Sequence, residues 1–312
     1  MTDEIVSSES FTVFITGVIT PVGQALTHLL KAQGHNVIGT VSSSRQAEEL
    51  RAIGGTPAYP DLYRAGELRS VIAGTGAKIV VNLAPQAPNP PPQIDANWDV
   101  QIAEAASALA QASAEAGVEY LVHTSYAFAD GQTGEESAEA RPFLKAVRAA
   151  ERAVLESPVP SCVLRFGTVY GAESPELLQL IATIKAGRAV HPGFAHKTHW
   201  LYATDAAEAI NAALHTRPAV ETLTVTDDHP ASAVEFLQYF CQTQGLLTPD
   251  KPRIAVRRPF SKLHEALQHL PYEAGNAAAK EELNWSPRFA DYKQGIDDLL
   301  ISWRAMMEPV AH

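Results

Sequence analysis

The sequence has little cysteine and no surplus of positive charge. Its 312 residues include two cysteines, Cys162 and Cys241, both in apolar segments, which indicates buried thiols in a reducing compartment rather than a disulfide framework. The 35 Asp and Glu residues outnumber the 24 Lys and Arg residues, which gives a net charge of -11. No cluster of Lys or Arg is interleaved with aromatic residues, so we expect no nucleic-acid partner.

A long hydrophobic run is also lacking. No apolar segment approaches the length of a membrane-spanning helix. The first ten residues, MTDEIVSSES, are polar and acidic, without the basic start and apolar core of a signal peptide. We therefore expect a cytoplasmic protein with no membrane partner. Because 46% of its residues are apolar, the chain can bury a core large enough for one large domain or two smaller ones.

The segment from Phe11 to Gly23 combines an apolar run with a turn bounded by two glycines. Residues 11–15 are mostly β-branched or aromatic and predict a buried parallel strand, and Gln24 to Ala32 has the apolar spacing of a helix. Gly17 would permit a tight turn, and Gly23 would permit close packing of the helix on the strand. Such a turn brings backbone N–H groups and a helix N-terminus to one point where a pyrophosphate can bind, although a tight turn without a ligand has the same pattern.

A run of small hydroxyl side chains and an arginine follows the next predicted strand, Asn36 to Val41. In dinucleotide folds an Asp or Glu at this position binds the adenine ribose of NAD, whereas small polar residues with an arginine accommodate the 2′-phosphate of NADP. The chain has Ser42, Ser43, Ser44 and Arg45 here, with no carboxylate before Glu48, which favours NADP over NAD. The serines could instead cap the helix predicted over residues 45–53, and the two roles are compatible.

Predicted strands and helices alternate through the first half of the chain. Further strands are predicted over residues 57–62, 78–84, 120–125 and 161–166, and helices over residues 97–116 and 142–156. This alternation predicts an α/β fold with a Rossmann-type doubly wound parallel sheet.

Several motifs resemble, in the same order, those of the extended short-chain dehydrogenase/reductases, an NAD(P)-dependent epimerase/dehydratase-like superfamily. TGVITPVG resembles the TGxxGxxG loop, with Thr20 at the middle glycine and Pro21 after it. The later motifs are LRFGTVYG (164–171), similar to LRPxxVYG, HWLYATDAAEAI (199–210), similar to the VDDxAxAI helix start with Thr204 or Asp205 as its cap, LTVTDDHPAS (223–232) and LNWSPRF (283–289). The resemblance extends from about residue 12 to residue 303.

The resemblance implies two lobes with the active site between them. The NAD(P)-binding Rossmann domain would comprise residues 10–164 with a return segment at 200–217. Residues 165–199 and 218–312 would form a smaller C-terminal, substrate-binding lobe. Pairing of two copies through the helices near residues 97–116 and 142–156 is common in the family, so a homodimer is one assembly that the resemblance allows.

The resemblance also implies a set of cofactor contacts, with the phosphates at the glycine loop, the adenine beside the PDL segment and the rest of the cofactor along VNLAP. The residues are Gly17, Ile19, Thr20, Pro21, Val22, Gly23, Asp61, Leu62, Asn82, Leu83 and Ala84. The proline-rich loop at residues 85–92 either overlies the cofactor or forms a rigid surface connection.

The catalytic pair of the family, a tyrosine with a lysine four residues later, is absent. In the family the tyrosine exchanges a proton with the substrate oxygen, and the lysine lowers the pKa of that tyrosine. The family's AAE continuation is present at residues 149–151, and counting back from it places Phe143 at the tyrosine and Val147 at the lysine. No tyrosine lies four residues before any lysine of the chain.

The serine or threonine that polarises the substrate oxygen in the family aligns with Tyr126, and Ser125 and Thr124 precede it directly. Three interpretations remain. The chain is an NADP(H)-dependent oxidoreductase or epimerase/dehydratase-type enzyme for a small carbonyl or hydroxyl compound, with displaced acid-base residues such as Tyr126, tuned by His123, Lys145 or Arg148. Alternatively, it is a catalytically silent dinucleotide-binding regulatory protein, or a scaffold without cofactor, in which Tyr126 only packs.

Three histidines, His191, His196 and His199, lie close together in HPGFAHKTHW. Imidazoles with a carboxylate would suit zinc, but this spacing matches no standard ligand pattern, so we predict no metal. The segment aligns with a loop that borders the substrate in the family, and the remaining alternatives are substrate contact by one histidine or ordinary surface placement. Arg165 either holds an anionic group or pairs with a carboxylate such as Asp205.

Overall fold

The computed structural model describes residues 10–83, 99–130, 138, 140–172, 174, 177–178, 182, 185–186, 197–246 and 274–307. Up to residue 166 the strands are β1 (Thr12–Thr16), β2 (Asn36–Thr40), β3 (Thr56–Ala58), β4 (Ile79–Asn82), β5 (Tyr120–Tyr126) and β6 (Ser161–Phe166). The α-helices between them are α1 (Pro21–Ala32), α2 (Ser44–Ala52), α3 (Ala65–Thr75), α4 (Ala105–Ala116) and α5 (Arg141–Leu155). A π-helical segment, Asp99–Glu104, leads into α4, and a short 3-10 helix, Ala127–Asp130, follows β5.

The remaining described elements return once to the sheet and otherwise form a smaller cluster. They are β7 (Thr168–Tyr170), β8 (Lys197–Thr198), β9 (Trp200–Tyr202), α6 (Ala203–Thr216), β10 (Thr222–Val225), β11 (Ala231–Ser232), α7 (Ala233–Thr243), α8 (Ala277–Glu282) and α9 (Tyr292–Met307).

Seven strands form one parallel sheet in the order β3-β2-β1-β4-β5-β6-β10. The strand order reverses at β1, because Val13 pairs with Val37 of β2 on one side and with Ile79 of β4 on the other. All the carboxyl ends therefore lie along one edge, and in such sheets ligands bind at that edge near the reversal. The α/β fold with a Rossmann-type doubly wound sheet is confirmed.

Helices cover both faces of the sheet. Successive side chains of β1 are apolar and point to opposite faces, so each face must be buried against other elements. Val13 and Ile15 belong to a buried cluster with residues of α1 and α6, whereas Phe14 belongs to a cluster with residues of α3 and α4. The crossover helices therefore fix the sheet from both sides, and the loops at its carboxyl edge are held by a rigid scaffold.

A third apolar cluster joins the C-terminal helices to the short strands β7 and β9. Trp200 stacks on Phe236 with ring centroids 4.2 Å apart, and Tyr170 donates a hydrogen bond to the carbonyl of Tyr292. The division into a Rossmann domain and a substrate lobe remains a prediction.

Two side-chain roles predicted from the sequence are wrong. Neither Thr204 nor Asp205 caps α6, whose N-cap position is Tyr202. Asp205 is buried in the first turn of α6, and its two carboxylate oxygens accept the backbone N–H groups of Arg288 and Phe289, each at 3.1 Å. Burial raises the pKa of Asp205 to about 7, although these two hydrogen bonds oppose the rise. Asp205 therefore attaches the LNWSPRF segment to α6 and is not the partner of Arg165.

Candidate active site

The loop between β1 and α1 requires its two glycines. Gly17 has a φ of 66°, in the left-handed region that favours glycine. At Gly23, an added Cβ would lie 2.5 Å from the carbonyl oxygen of Val18, closer than any real contact. Gly17 thus permits the turn and Gly23 permits the close approach of α1 to the loop.

Thr20 is the N-cap of α1, so the helix begins three residues earlier than the sequence pattern predicted. Its hydroxyl accepts the N–H of Gly23 at 3.1 Å and donates to the carbonyl of Gly17 at 2.8 Å. Of the first three helical residues, Pro21 has no N–H and Gly23 donates its N–H to Thr20, which leaves the N–H of Val22 for a ligand. The loop therefore offers fewer backbone N–H groups to a phosphate than a glycine loop does.

We expect Thr20→Gly to tighten NADPH binding by about tenfold, because it releases the Gly23 N–H for a charge-assisted hydrogen bond to phosphate. Losing a Thr cap to Gly costs only a few tenths of a kcal/mol of helix stability. Thr20→Ser is the matched control, since it keeps the capping hydroxyl and should bind NADPH like wild type. Equal tightening in both variants, measured by nicotinamide fluorescence, would assign the effect to the methyl group instead.

The hydroxyl run after β2 both caps a helix and leaves its arginine accessible. Ser43 is the N-cap of α2 and accepts the N–H of Gln46, whose side-chain oxygen in turn accepts hydrogen bonds from the N–H and hydroxyl of Ser42. Ser44 is the exposed first residue of the helix. Arg45 is 89% exposed and pairs with Glu49 at 2.8 Å. Exposed pairs of this type are worth at most about 1 kcal/mol, so Arg45 can exchange Glu49 for a phosphate.

Asp61 and Leu62 lie in the turn after β3, and not in the strand itself as predicted. The Asp61 carboxylate accepts the N–H of Tyr63 at 3.0 Å and pairs with Arg64 at 3.2 Å, so its oxygens shape this turn. Ala84 and the proline-rich loop at 85–92 lie outside the described residues.

Asn82 connects the carboxyl ends of three neighbouring strands. Thr16 donates to its side-chain oxygen at 2.6 Å, and its amide nitrogen lies 2.8 Å from Nδ1 of His123. Burial lowers the pKa of His123 to about 4, with Glu151 opposing the shift, so the ring is neutral at pH 7. His123 is therefore a fixed acceptor for Asn82 and not a proton donor. Leu83, the residue after β4, is buried, and its Cβ lies close to Gly17.

The end of β5 carries the three residues predicted to act in catalysis. Thr124 and Ser125 are buried, and Thr124 donates to the carbonyl of Asn82 at 3.3 Å. Tyr126 stacks on Phe128 with ring centroids 5.0 Å apart and lies 5.6 Å from the ring of Phe143. The phenol ring of Tyr126 therefore lies beside Phe143, the predicted position of the family's tyrosine.

Behind β5 lies an ion pair that the sequence pattern did not reveal. Arg165 donates to both carboxylate oxygens of Glu151, at 2.9 and 2.7 Å. Burial alone would raise the pKa of Glu151, but Arg165, with a smaller contribution from Ser125, outweighs it and holds that pKa below its ordinary value. Arg165 thus has Glu151 as its carboxylate partner.

Phe143 and Val147, which the sequence predicts at the positions of the family's tyrosine and lysine, are 0% and 2% exposed. Both belong to an apolar cluster between α5 and the segment leading into α4, which also includes Ile102, Ala106 and Leu144, with Tyr126 and Phe128 packed against it. Lys145 lies on the exposed face of the helix, and Arg148 donates to the carbonyl of Ala129 at 3.1 Å. The described side chains of α5 thus supply neither a phenol nor an ammonium group at this place.

Of the three histidines in this segment, the structure describes His199, while His191 and His196 lie outside the described residues. Its Nδ1 lies 3.5 Å from Oδ1 of Asp227. In the part of the chain that the structure describes, no three His, Cys, Asp or Glu side chains are placed to hold a metal ion. In that same part, no helix combines the length and apolarity needed to cross a bilayer. Cytoplasmic location and a homodimer stay predictions.

Comparison with known proteins gives one curated relative and many structures of the same fold. The chain is 28% identical over 303 residues, 91% of its length and 98% of the relative's, to a 3-diazoavenalumate denitrifying reductase from Streptomyces sp. A UDP-glucose-4-epimerase from Stenotrophomonas maltophila with bound NAD and formylated UDP-arabinopyranose is 20% identical, with a TM-score of 0.75 and coverage of 95% of this chain and 98% of that one. A dTDP-glucose 4,6-dehydratase from Bacillus anthracis in complex with NAD is 16% identical, with a TM-score of 0.75 and coverage of 96% and 98%.

A family model described as NAD dependent epimerase/dehydratase family matches residues 13–225, more than half of the chain. This match confirms the resemblance to the extended short-chain dehydrogenase/reductases. Together with the reductase relative, it also confirms the expectation of an NAD(P)-dependent oxidoreductase or epimerase-like protein over that of a silent scaffold. The chain belongs to the NAD dependent epimerase/dehydratase family.

Proposed function

We propose that the chain is an NADPH-dependent reductase whose substrate accepts hydride without a proton from a tyrosine and lysine pair. The observation that carries this proposal is the replacement of that pair by Phe143 and Val147, both enclosed in an apolar cluster. The loop that would hold the cofactor keeps its two required glycines, so cofactor binding and proton donation are separable in this chain.

The site residues fit a nicotinamide dinucleotide, which supplies hydride when it is bound in its reduced form. We assign the pyrophosphate to residues 17–23, where the N–H of Val22 and the N-terminus of α1 favour an anion. The adenosine end would contact Ser42 to Arg45, Asp61 and Leu62. Asn82, Leu83 and Ala84 would lie along the rest of the cofactor. The substrate would bind between two proposed lobes. One is the Rossmann domain, residues 10–164 with the return segment 200–217, and the other is the smaller lobe, residues 165–199 and 218–312.

A diazonium group is the substrate class that best suits such a site. The Streptomyces relative is named for reducing a diazo compound with loss of nitrogen, and the chain covers nearly all of it. Reduction of an arenediazonium ion by hydride forms a C–H bond, breaks the C–N bond and releases N2. The positive charge of the substrate is neutralised by the hydride itself, so no proton is consumed. A site that lacks the tyrosine and lysine pair can therefore support this reaction.

Reduction of a small carbonyl compound is the second candidate, because Tyr126 lies beside the family's tyrosine position. In that reaction Tyr126 would protonate the oxygen as hydride reaches the carbon, with Ser125 or Thr124 polarising it. The chain has Gly167 and Thr168 where nucleotide-sugar enzymes of the family usually show an asparagine, so we do not propose a nucleotide sugar.

Assays with paired substrates distinguish these reactions. We expect benzenediazonium to give benzene and one N2 for each NADPH oxidised above the rate without enzyme, with deuterium from labelled NADPH found in the benzene. Benzaldehyde should not be reduced. Reduction of benzaldehyde but not of benzenediazonium would establish the second candidate. If the protein bound neither NADPH nor NADH, the interpretation as a scaffold without cofactor would be favoured.

Replacement of Tyr126 by Phe tests its role directly. If the substrate is a diazonium ion, Tyr126→Phe should keep the rate within about threefold, because ring packing is retained and no proton is needed. A general acid would instead contribute about 10²- to 10⁴-fold, so a loss of that size would contradict the first candidate. Tyr120→Phe is the matched control, since Tyr120 begins the same strand, at the edge of the sheet opposite to the site.

Cofactor preference depends on Arg45. Wild type should bind NADPH at least about tenfold more tightly than NADH, a gap of about 1.4 kcal/mol. Arg45→Ala should remove this gap by weakening NADPH binding alone, because the 2′-phosphate loses its cation. Arg51→Ala is the control, because Arg51 is an exposed arginine in the last turn of the same helix, and this variant should not change the ratio. Fluorescence titrations that give equal affinities for wild type would refute the phosphate pocket.

A further inference from the structure

A second polar site adjoins the reacting region at the same edge of the sheet. In the sheet register Tyr126 of β5 pairs with Phe166 of β6, and Phe166 pairs with Val225 of β10. Thr226 and Asp227 follow Val225 directly. With strands about 4.8 Å apart, the backbone of Val225, two residues before Asp227, lies about 10 Å from that of Tyr126 across this edge. That distance matches the length of one small aromatic molecule.

The backbone holds His199 in place at this site. Its carbonyl accepts the N–H of Thr168 at 2.8 Å. A Cβ added at Gly167 would lie 2.7 Å from the same carbonyl oxygen, so glycine is needed there for the close approach. The following residue, Trp200, exchanges hydrogen bonds with Asp227, its N–H donating to Oδ1 at 3.3 Å and its carbonyl accepting the Asp227 N–H at 2.8 Å. His199 and Asp227 are therefore held against each other from both sides.

Asp227 and Nδ1 of His199 are buried, but their hydrogen-bonding capacity is not fully used. Asp227 is 3% exposed, and among the described residues its Oδ2 and the Nδ1 of His199 meet no hydrogen-bond partner of good geometry. The 3.5 Å between Nδ1 and Oδ1 is an ion-pair distance, longer than a strong hydrogen bond. Burial raises the pKa of Asp227, while the interaction with His199 opposes this rise. The nearby Asp228 pairs with Lys280 at 2.6 Å and accepts a hydrogen bond from the side-chain amide of Asn276.

The ring of His199 supplies the accessible end of this pair. Its side chain is 17% exposed, so a ligand can reach the imidazole while Asp227 stays buried behind it. The ring has a second nitrogen, Nε2, which can donate a hydrogen bond to a ligand when it carries a hydrogen. Such a donor forms its strongest hydrogen bonds with an anionic oxygen.

We propose that His199, oriented by Asp227, binds a carboxylate of the substrate while the group to be reduced lies over the end of β5. This inference rests on the proposed function, and it narrows the substrate class to small aromatic carboxylates. His199 is the residue that touches the substrate, and Asp227 is a positioning residue.

Kinetics with matched substrates test the preference. Wild type should reduce 4-carboxybenzenediazonium with a KM at least about tenfold below that of the 4-carbamoyl analogue, which has the same size but an uncharged amide in place of the carboxylate. His199→Gln should bring the two KM values together by raising the KM of the carboxylate substrate about tenfold. Asp227→Asn should act in the same direction. Thr226→Val removes a neighbouring buried hydroxyl at constant volume and should keep the preference.

A binding measurement separates failure of this site from failure of the proposed function. In the NADP-loaded, 15N-histidine-labelled protein, benzoate should shift the His199 nitrogen signals, whereas benzamide should not, and His199→Gln should bind benzoate at least about tenfold more weakly. These shifts would uphold the site even if no diazonium ion were reduced. Benzoate that leaves His199 unshifted, or binds the glutamine variant as tightly as wild type, overturns the proposal.

Discussion

Gly23→Ala should lower NADPH affinity by at least about a hundredfold, a loss of about 2.7 kcal/mol. The added Cβ would meet the carbonyl oxygen of Val18 at 2.5 Å and that of Gly17 at 2.7 Å. Both obstacles are backbone atoms, which cannot turn aside as a flexible side chain can. The loop must therefore move away from α1, and its movement takes the N–H of Val22 away from the phosphate position.

A glycine in an unconstrained place gives the control for this change. Gly74 lies in α3, and a Cβ added there meets no atom within 4 Å. Gly74→Ala should leave NADPH binding unchanged and raise stability by about 0.5 to 1 kcal/mol, because alanine favours the helix. Fluorescence titration and urea unfolding of both variants check this. Undiminished binding by Gly23→Ala would mean that the loop does not carry the phosphates.

Restoring the family pair should damage the protein and not activate it. Val147→Lys places an ammonium group where Val147 is 2% exposed and surrounded by apolar side chains. An unpaired buried charge costs several kcal/mol, and we expect unfolding free energy to fall by about 3 to 5 kcal/mol. Phe143→Tyr adds a buried hydroxyl that must find a partner, which costs about 1 to 3 kcal/mol if it finds none. The double variant should therefore be unstable and should not reduce benzaldehyde.

Val220→Lys is the matched control, because Val220 is 39% exposed and the same substitution leaves its ammonium group in water. It should change the unfolding free energy by less than about 0.5 kcal/mol in urea titrations. A double variant within 1 kcal/mol of wild type that reduces benzaldehyde would reveal a lapsed carbonyl reductase, and it would count against the diazonium reaction.

The local signals in the sequence predicted the loop well, because they depend on conformational limits of single residues. Gly17 and Gly23 follow an apolar strand and precede an apolar helix, and the structure requires glycine at both. The start of α1 was also readable, since a threonine followed by proline is the usual pair at an N-cap and first helical turn. In the sequence analysis, Thr20 is compared with the middle glycine of the family's loop and is not identified as an N-cap.

The sequence by itself determined the alternation of strands and helices, the glycine loop and the absence of the tyrosine and lysine pair, because each depends on neighbouring residues. Only the tertiary structure decided the partners of its buried charges. Glu151 meets Arg165 across two elements, Asp205 binds amides 83 and 84 residues later, and His199 lies against Asp227. Composition and spacing do not predict such pairs, because the partners are far apart in the sequence. Which carboxylate a cation or N–H group contacts depends on how the elements that carry them pack together and exclude water.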